Sequence, residues 1–172
     1  PQLGSIDIDG YGPYDRKPTF LADQYYLSDE VAAMNMKAAD YAANYGKFWT
    51  GFDMGKFNEV MNVFEVDAQQ KMNKMSFGQL KKTYIAFALA CNTKYLFMDE
   101  PTNGLDIPSK AQFRKAVTKY TREDSVILIS THQVRDLENI IDPIIILDKQ
   151  DVLLNATIAE ISEKLYFDYT SE

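Results

Sequence analysis

The sequence predicts an α/β fold, a mainly parallel β-sheet core with a small α-helical subdomain inserted in it. Three observations carry that prediction. Tyr95 to Met98, mostly large and apolar, run straight into the paired carboxylates Asp99 and Glu100. A second apolar run, Val126 to Ile129, ends in Ser130-Thr131-His132. Between residues 28 and 75 the apolar spacing changes from that of strands to that of helices. Consecutive large apolar residues suit strands buried on both faces, the habit of a parallel sheet. In such sheets the chemistry lies just beyond the carboxyl ends of the strands.

The elements follow in chain order. Residues 4–9 alternate in a strand-like way and turn at Gly10-Tyr11-Gly12-Pro13. Gln24 to Leu27 reads as a short buried strand. Met36 to Tyr45 allows a helix, and Gly46 to Gly55 reads as a loop that carries Trp49. Met54, Phe57, Val60, Met61 and Phe64 then fall on one helical face. This Met-rich and aromatic stripe is core rather than binding surface. Ser76-x-x-Gln79 has the form of a capping box, and behind it Tyr84, Ile85, Ala88 and Leu89 continue a helix. A strand over 94–98, a helix over 109–120, a strand over 125–130 and a helix over 132–140 complete the alternation. Phe113, Ala116, Val117 and Tyr120 give the helix over 109–120 one buried face. Thr131 could cap the helix carrying Asp136, Leu137 and Ile140. Ile144–Leu147 and Asp151–Leu154 suggest a final pair of strands, and Thr157-x-x-Glu160 caps a short terminal helix.

Composition sets bounds. Of 172 residues, 46% are hydrophobic, enough to bury a core of one domain or most of one. The longest apolar run, Ile85 to Cys91, is far too short to cross a bilayer. No targeting segment is visible, and one cysteine excludes an internal disulfide. A net charge of −7 argues against general affinity for nucleic acid or anionic lipid, and leaves room for local contacts at Lys81, Lys82 or Lys110.

Three segments are candidates for chemistry, and each has an ordinary reading beside the functional one. Asp99 and Glu100 point to opposite faces of their strand, so they can take different jobs. One can hold a divalent cation beside a phosphate, and the other can orient or deprotonate a water. Alone, they are also what a buried strand looks like when it runs into a solvated turn. The helix start at Ser76 to Gln79, with Gly78 allowing close approach, is a natural anion site, since free N–H groups and the positive dipole end point the same way. Alone, it is an ordinary capped core helix. His132, the only histidine, follows the second strand, where an imidazole could donate to a phosphate oxygen; a lone histidine is more often a capping or surface residue.

In this order, Met75-Ser76-Phe77-Gly78-Gln79, then Tyr95-Leu96-Phe97-Met98-Asp99-Glu100-Pro101-Thr102-Asn103-Gly104-Leu105-Asp106, then Ile129-Ser130-Thr131-His132, the chain resembles the nucleotide-binding domain of ATP-binding cassette (ABC) transporters. The first block looks like that family's signature, the second like its Walker B strand and D-loop, the third like its switch histidine. Gly4 to Gly10 also looks like a strand and turn early in the domain. The resemblance implies a P-loop NTPase (RecA-like) core over 1–28 and 76–172, with the helical subdomain over 29–75 between. No Gly-x-x-x-x-Gly-Lys followed by Ser or Thr occurs in these residues, so the phosphate-cradling Walker A segment is absent. Truncation of a longer domain is the simplest account, a degenerate relative the rival one. By this reading the fragment alone is inactive.

The roles that follow are those the resemblance implies. Asp99 would hold Mg2+ through its water shell, and Glu100 would polarise the attacking water. His132 would touch the terminal phosphate. Ser76, Phe77, Gly78 and Gln79 would reach ATP held by the opposite subunit, and Asp106 would shape the contact to that subunit. Phe77 departs from the family's usual glycine. Asp29 falls where the Q-loop usually has glutamine, so a carboxylate would hold a metal-bound water there or serve as a helix cap. The expected function is the ATP-binding, ATP-hydrolysing subunit of a transporter, exporter-type by general resemblance around Asn58 to Gly78. Its cofactors would be ATP and Mg2+. Its partners would be a second nucleotide-binding domain and a membrane-spanning subunit, at the cytoplasmic face of a membrane, with no nucleic acid. A non-transport ABC ATPase of the translation or repair type, and a catalytically dead docking module, are the alternatives.

Overall fold

In the computed structural model the described residues are 4–137 and 139–164, and they fall into two compact units, Pro1–Asp136 and Leu137–Glu172. The first unit is organised on a three-stranded parallel sheet in the order β1 (Gln24–Leu27), β2 (Tyr95–Asp99), β3 (Val126–Ser130). The register places Tyr25, Leu96 and Ile127 in one row and Leu27, Met98 and Ile129 in another. Five helices accompany the sheet: α1 (Pro18–Ala22), α2 (Ala38–Tyr45), α3 (Met54–Val63), α4 (Phe77–Ala90) and α5 (Ile107–Tyr120).

Helix α4 is the hub. Ten of its residues are buried, and it packs on α3, α5 and β1. Phe87 sits at its centre, with ring centroids of Tyr41, Phe52, Trp49 and Tyr25 at 4.9, 5.3, 5.6 and 5.7 Å. Deleting a phenyl ring from such a core costs about 3–5 kcal/mol, because the hole does not fully collapse. Of the expected stripe on α3, Phe57, Val60, Met61 and Phe64, the residue that ends the helix, are at 1% exposure or less, and Met54 at its start is half-buried. Trp49, in the loop between α2 and α3, donates its indole N–H to the Gln24 carbonyl at 2.9 Å, so its polar end is satisfied against β1.

Three sequence expectations are corrected. The strand expected over 4–9 does not form; the backbone there makes only an isolated pairing of Ile8 with Tyr11. Asp9 and Gly10 both turn to positive φ, and the Asp7 carboxylate accepts the Gly10 N–H, so the segment closes on itself instead of running beside a neighbour. The strands β2 and β3 are not buried on both faces. Leu96 and Met98 are buried, whereas Val126 and Leu128 are exposed, and so is Tyr26 in the Leu128 row. Only the face carrying Tyr25 and Leu27 meets the α4 core, so burial alternates along each strand. The helix expected over 132–140 is a single 3-10 turn, Val134–Leu137. Asn139 takes a left-handed φ of 69°, a conformation that stops a helix, and Glu138 lies outside the described residues.

The second unit contains an antiparallel hairpin, β4 (Ile144–Asp148) with β5 (Asp151–Ala156), and helix α6 (Ile158–Lys164). The predicted cap is present: Thr157 N–H donates to Glu160 Oε2 at 2.8 Å, and Glu160 N–H donates to Thr157 Oγ1 at 3.2 Å. No described helix is long and apolar enough to cross a membrane.

Candidate functional site

The carboxyl ends of β2 and β3 lie side by side, with Asp99 opposite Ser130 in register. One residue later the chain leaves β2 at Glu100, whose N–H donates to the Ser130 carbonyl at 2.9 Å. Glu100 has a φ of 42°, a left-handed conformation that costs a non-glycine residue roughly 1–2 kcal/mol. Such strain persists only where the surroundings hold it. Here they do. Glu100 Oε2 accepts from Thr131 Oγ1 at 2.8 Å. Its Oε1 accepts from the His132 backbone N–H at 2.9 Å and meets His132 Nδ1 at 2.6 Å. Partial burial pushes the Glu100 carboxyl up, but the bonds from His132 and Thr131 outweigh it and hold the group below the usual carboxylate range. Glu100 is therefore a fixed, charged acceptor.

That geometry also settles the imidazole. An ionised carboxylate can only accept, so His132 Nδ1 carries the hydrogen. A neutral ring then offers Nε2 as an acceptor, and donation to a phosphate oxygen requires a second proton on the ring. The imidazole remains open to solvent, with its side chain 72% exposed.

Asp99 turns to other partners. Its Oδ1 accepts from Ser130 Oγ at 2.6 Å, and its Oδ2 receives a long bond from Tyr26 OH at 3.4 Å. Among the described residues no group of three or more His, Cys, Asp and Glu side chains could hold a metal ion. Mg2+ does not need one, since it keeps several waters and binds proteins through one or two carboxylates together with substrate phosphates. One half-buried carboxylate beside a hydroxyl fits that ion.

The second candidate is the start of α4. Both halves of the capping box form: Gln79 N–H donates to Ser76 Oγ at 3.2 Å, and Ser76 N–H donates to Gln79 Oε1 at 3.0 Å. Each of the two side chains thus accepts from the other residue's backbone N–H, and the first-turn N–H groups of Phe77 and Gly78 are left to face an anion. Phe77 is half exposed, and its ring lies on Gly104. Gly104 has a φ of +75°, and a Cβ there would stand 2.4 Å from that ring, so this turn requires glycine. The turn after Glu100 and the tip of α4 are therefore in contact within one chain.

Asp106 and Asp29 both find partners within the chain. Asp106 caps α5, accepting the Ser109 N–H at 3.0 Å, and hydrogen bonds from Ser109 hold its carboxyl below the usual range. Asp29 neither caps a helix nor joins Asp99. It pairs with Lys81 at 3.1 Å, and bonds from Lys81 and Asn103 hold it below the usual range. Lys81 is fully buried, Lys82 donates to Ser109 Oγ at 3.2 Å, and Lys110 pairs with Asp136 at 2.7 Å, so all three are engaged within the fold rather than free for surface contacts. Asp136 also accepts from Thr102 Oγ1 at 3.0 Å, and Lys110 donates to Gln133 Oε1 at 2.9 Å, which ties the segment after His132 to α5 and to the turn after Glu100. Sequence reading missed Lys81, Thr102, Asn103 and Asp136 as site neighbours. For Lys81 a signal existed: it shares the apolar stripe of Ile85 and Ala88 at helical spacing.

Against known proteins, the profile described as "ABC transporter" matches residues 4–103. The cobalt import ATP-binding protein CbiO of Salmonella paratyphi A is 31% identical over 100 residues, 56% of this chain and 37% of that protein. The energy-coupling factor transporter ATP-binding protein EcfA2 of Mycoplasmoides gallisepticum is 31% identical over 84 residues, 49% of this chain and 26% of that protein. The molybdenum import ATP-binding protein ModC of Mycobacterium tuberculosis is 27% identical over 153 residues, 86% of this chain and 40% of that protein. The chain thus spans between about a quarter and two-fifths of these relatives. Among solved structures, an ATP-binding subunit of an ABC transporter superposes with a TM-score of 0.81 at 20% identity, over 95% of this chain and 71% of that one, which establishes the P-loop NTPase fold. Relatives named for import give the expected exporter type no support.

Proposed function

Because the chain belongs to the ABC transporter family, we propose that it forms part of an ATP-binding and ATP-hydrolysing subunit that powers a transporter at the cytoplasmic face of a membrane. Its partners are a second copy of the fold and a membrane-spanning subunit. The observation that carries this reading is Glu100, a charged carboxylate held by Thr131 and His132 at the end of a parallel sheet. Phosphoryl transfer to water needs little covalent help; it needs positioning and neutralised charge.

In this mechanism Glu100 accepts a hydrogen bond from the attacking water and points its oxygen at the terminal phosphorus. The bond from water oxygen to phosphorus forms as the bond to the leaving ADP oxygen breaks, and the water's proton ends on the released phosphate. Thr131 and His132 keep the carboxylate from rotating away. Asp99, beside the Ser130 hydroxyl, would hold Mg2+, which would supply charge neutralisation at the phosphates. Ser76, Phe77, Gly78 and Gln79 present the positive end of α4 to the nucleotide of the opposite copy, so pairing and nucleotide binding become one event. The direct contact of Glu100 with His132 speaks against a docking-only cassette, and the relatives named as transport proteins speak against a translation or repair factor.

The test is Glu100→Gln in the complete polypeptide of which these residues are part. Gln keeps the shape and loses the charge. ATP binding is expected to persist while turnover falls by at least about a hundredfold. Unchanged turnover removes Glu100 from this role.

A further inference from the structure

Lys81 is a lysine with 0% exposure, and burying an ammonium is costly unless its hydrogen-bonding capacity is met. Its Nζ donates to the Asp29 carbonyl at 2.8 Å, to Asp29 Oδ1 at 3.1 Å and, weakly, to the Ser28 carbonyl at 3.4 Å. All of these acceptors come from the loop that follows β1, and among the described residues Asp29 supplies the one carboxylate paired with it. Asp29 in turn receives the Asn103 side-chain amide on both oxygens, at 3.2 and 3.3 Å. Asn103 belongs to the turn that begins at Glu100, and its N–H donates to the Glu100 carbonyl at 3.1 Å. The neighbouring Gly104 lies under the Phe77 ring. One carboxylate therefore joins three segments: the loop after β1, the first turns of α4 and the turn after Glu100.

We propose that Asp29 is a positioning residue, latched to buried Lys81, that fixes the turn carrying Glu100 relative to the capped tip of α4. The loop after β1 cannot leave without stranding a buried cation, so the three segments shift together or not at all. This rests on the reading above, in which Glu100 and the tip of α4 serve two different nucleotides. In that arrangement the latch is an intrachain link between the two sites of a pair. It acts on the geometry of Glu100 and makes no contact with nucleotide or with Mg2+.

The experiment uses the complete polypeptide and measures ATP turnover, and ATP affinity on a Glu100→Gln background. In Asp29→Asn the Lys81 charge loses its counterion and two amide groups face each other at Asn103. Turnover is expected to fall roughly ten- to a hundredfold, the scale of a misplaced reacting group, with ATP affinity within twofold of the parent. Asp29→Glu, which keeps the charge, is expected to restore much of that loss. Asn103→Ala removes one tie and spares the buried pair, so it remains informative if Asp29→Asn does not fold. It is expected to lower turnover about threefold at unchanged affinity. Turnover within twofold of wild type in both Asp29→Asn and Asn103→Ala overturns the latch while leaving the proposed function standing. A tenfold loss of ATP affinity in Asp29→Asn also overturns it, because Asp29 would then touch the nucleotide or its ion. A wild-type polypeptide that neither binds nor turns over ATP refutes the proposed function, and the latch with it.

Discussion

The acid end of β2 and the capped tip of α4 are built in opposite ways. The tip is local: its box closes between Ser76 and Gln79, and its positive pole comes from the helix backbone itself. The acid end is assembled from afar. Glu100 is held by Thr131 and His132, 31 and 32 residues away, and it sits in a left-handed conformation that those contacts maintain. The difference teaches where each region is fragile. A local cap survives changes elsewhere and fails by its own residues. A long-range constellation fails when any strand or loop that feeds it moves.

The contrast can be broken at the acid end first. His132→Ala in the complete polypeptide removes the Nδ1 bond and keeps the backbone one. Turnover is expected to drop by about a hundredfold, with thermal stability little changed, because the imidazole is largely exposed. Steady-state kinetics beside a melting curve checks both halves. At the tip the expected effect is smaller and of another kind. Ser76→Ala removes the side-chain acceptor for Gln79 N–H, which costs about 1 kcal/mol of stability, read as a shift in urea midpoint.

The smallest effect concerns acid. Folding holds the carboxyls of Glu100, Asp29 and Asp106 below their ordinary values. A depressed carboxyl stabilises the folded state above its unfolded pKa, about 4 for these groups, and the contribution is lost as pH falls through the folded value. Urea midpoints are therefore expected to decline below about pH 5, and Glu100→Gln to flatten that decline slightly. A steeper acid limb in the variant would contradict the assignment of Glu100 as a held anion.

The same division explains what the sequence made legible. The capping boxes at Ser76 and Thr157, the helical stripe on α3 and the strand ends at Asp99 and Ser130 are short-range patterns, and each is found where it was read. The segment over 4–9 has strand-like alternation, but a strand also needs a partner edge, and that is a tertiary fact. The run over 132–140 has helical spacing, yet the left-handed Asn139 ends it. The alternating burial of β2 and β3 depends on what packs against each face, which spacing does not encode. Lys81 shows the same limit from the other side: its place on an apolar stripe hinted at burial, while its counterion lies 52 residues away. Asp29 was legible as an unusual carboxylate and illegible as a partner for Lys81.

The central claim is that these two regions meet over one nucleotide only when two copies pair. Light scattering on the complete polypeptide carrying Glu100→Gln, with and without ATP, tests it most directly. A paired species that forms with ATP and dissociates on its removal is the predicted result. A polypeptide that holds ATP tightly and stays single would contradict it.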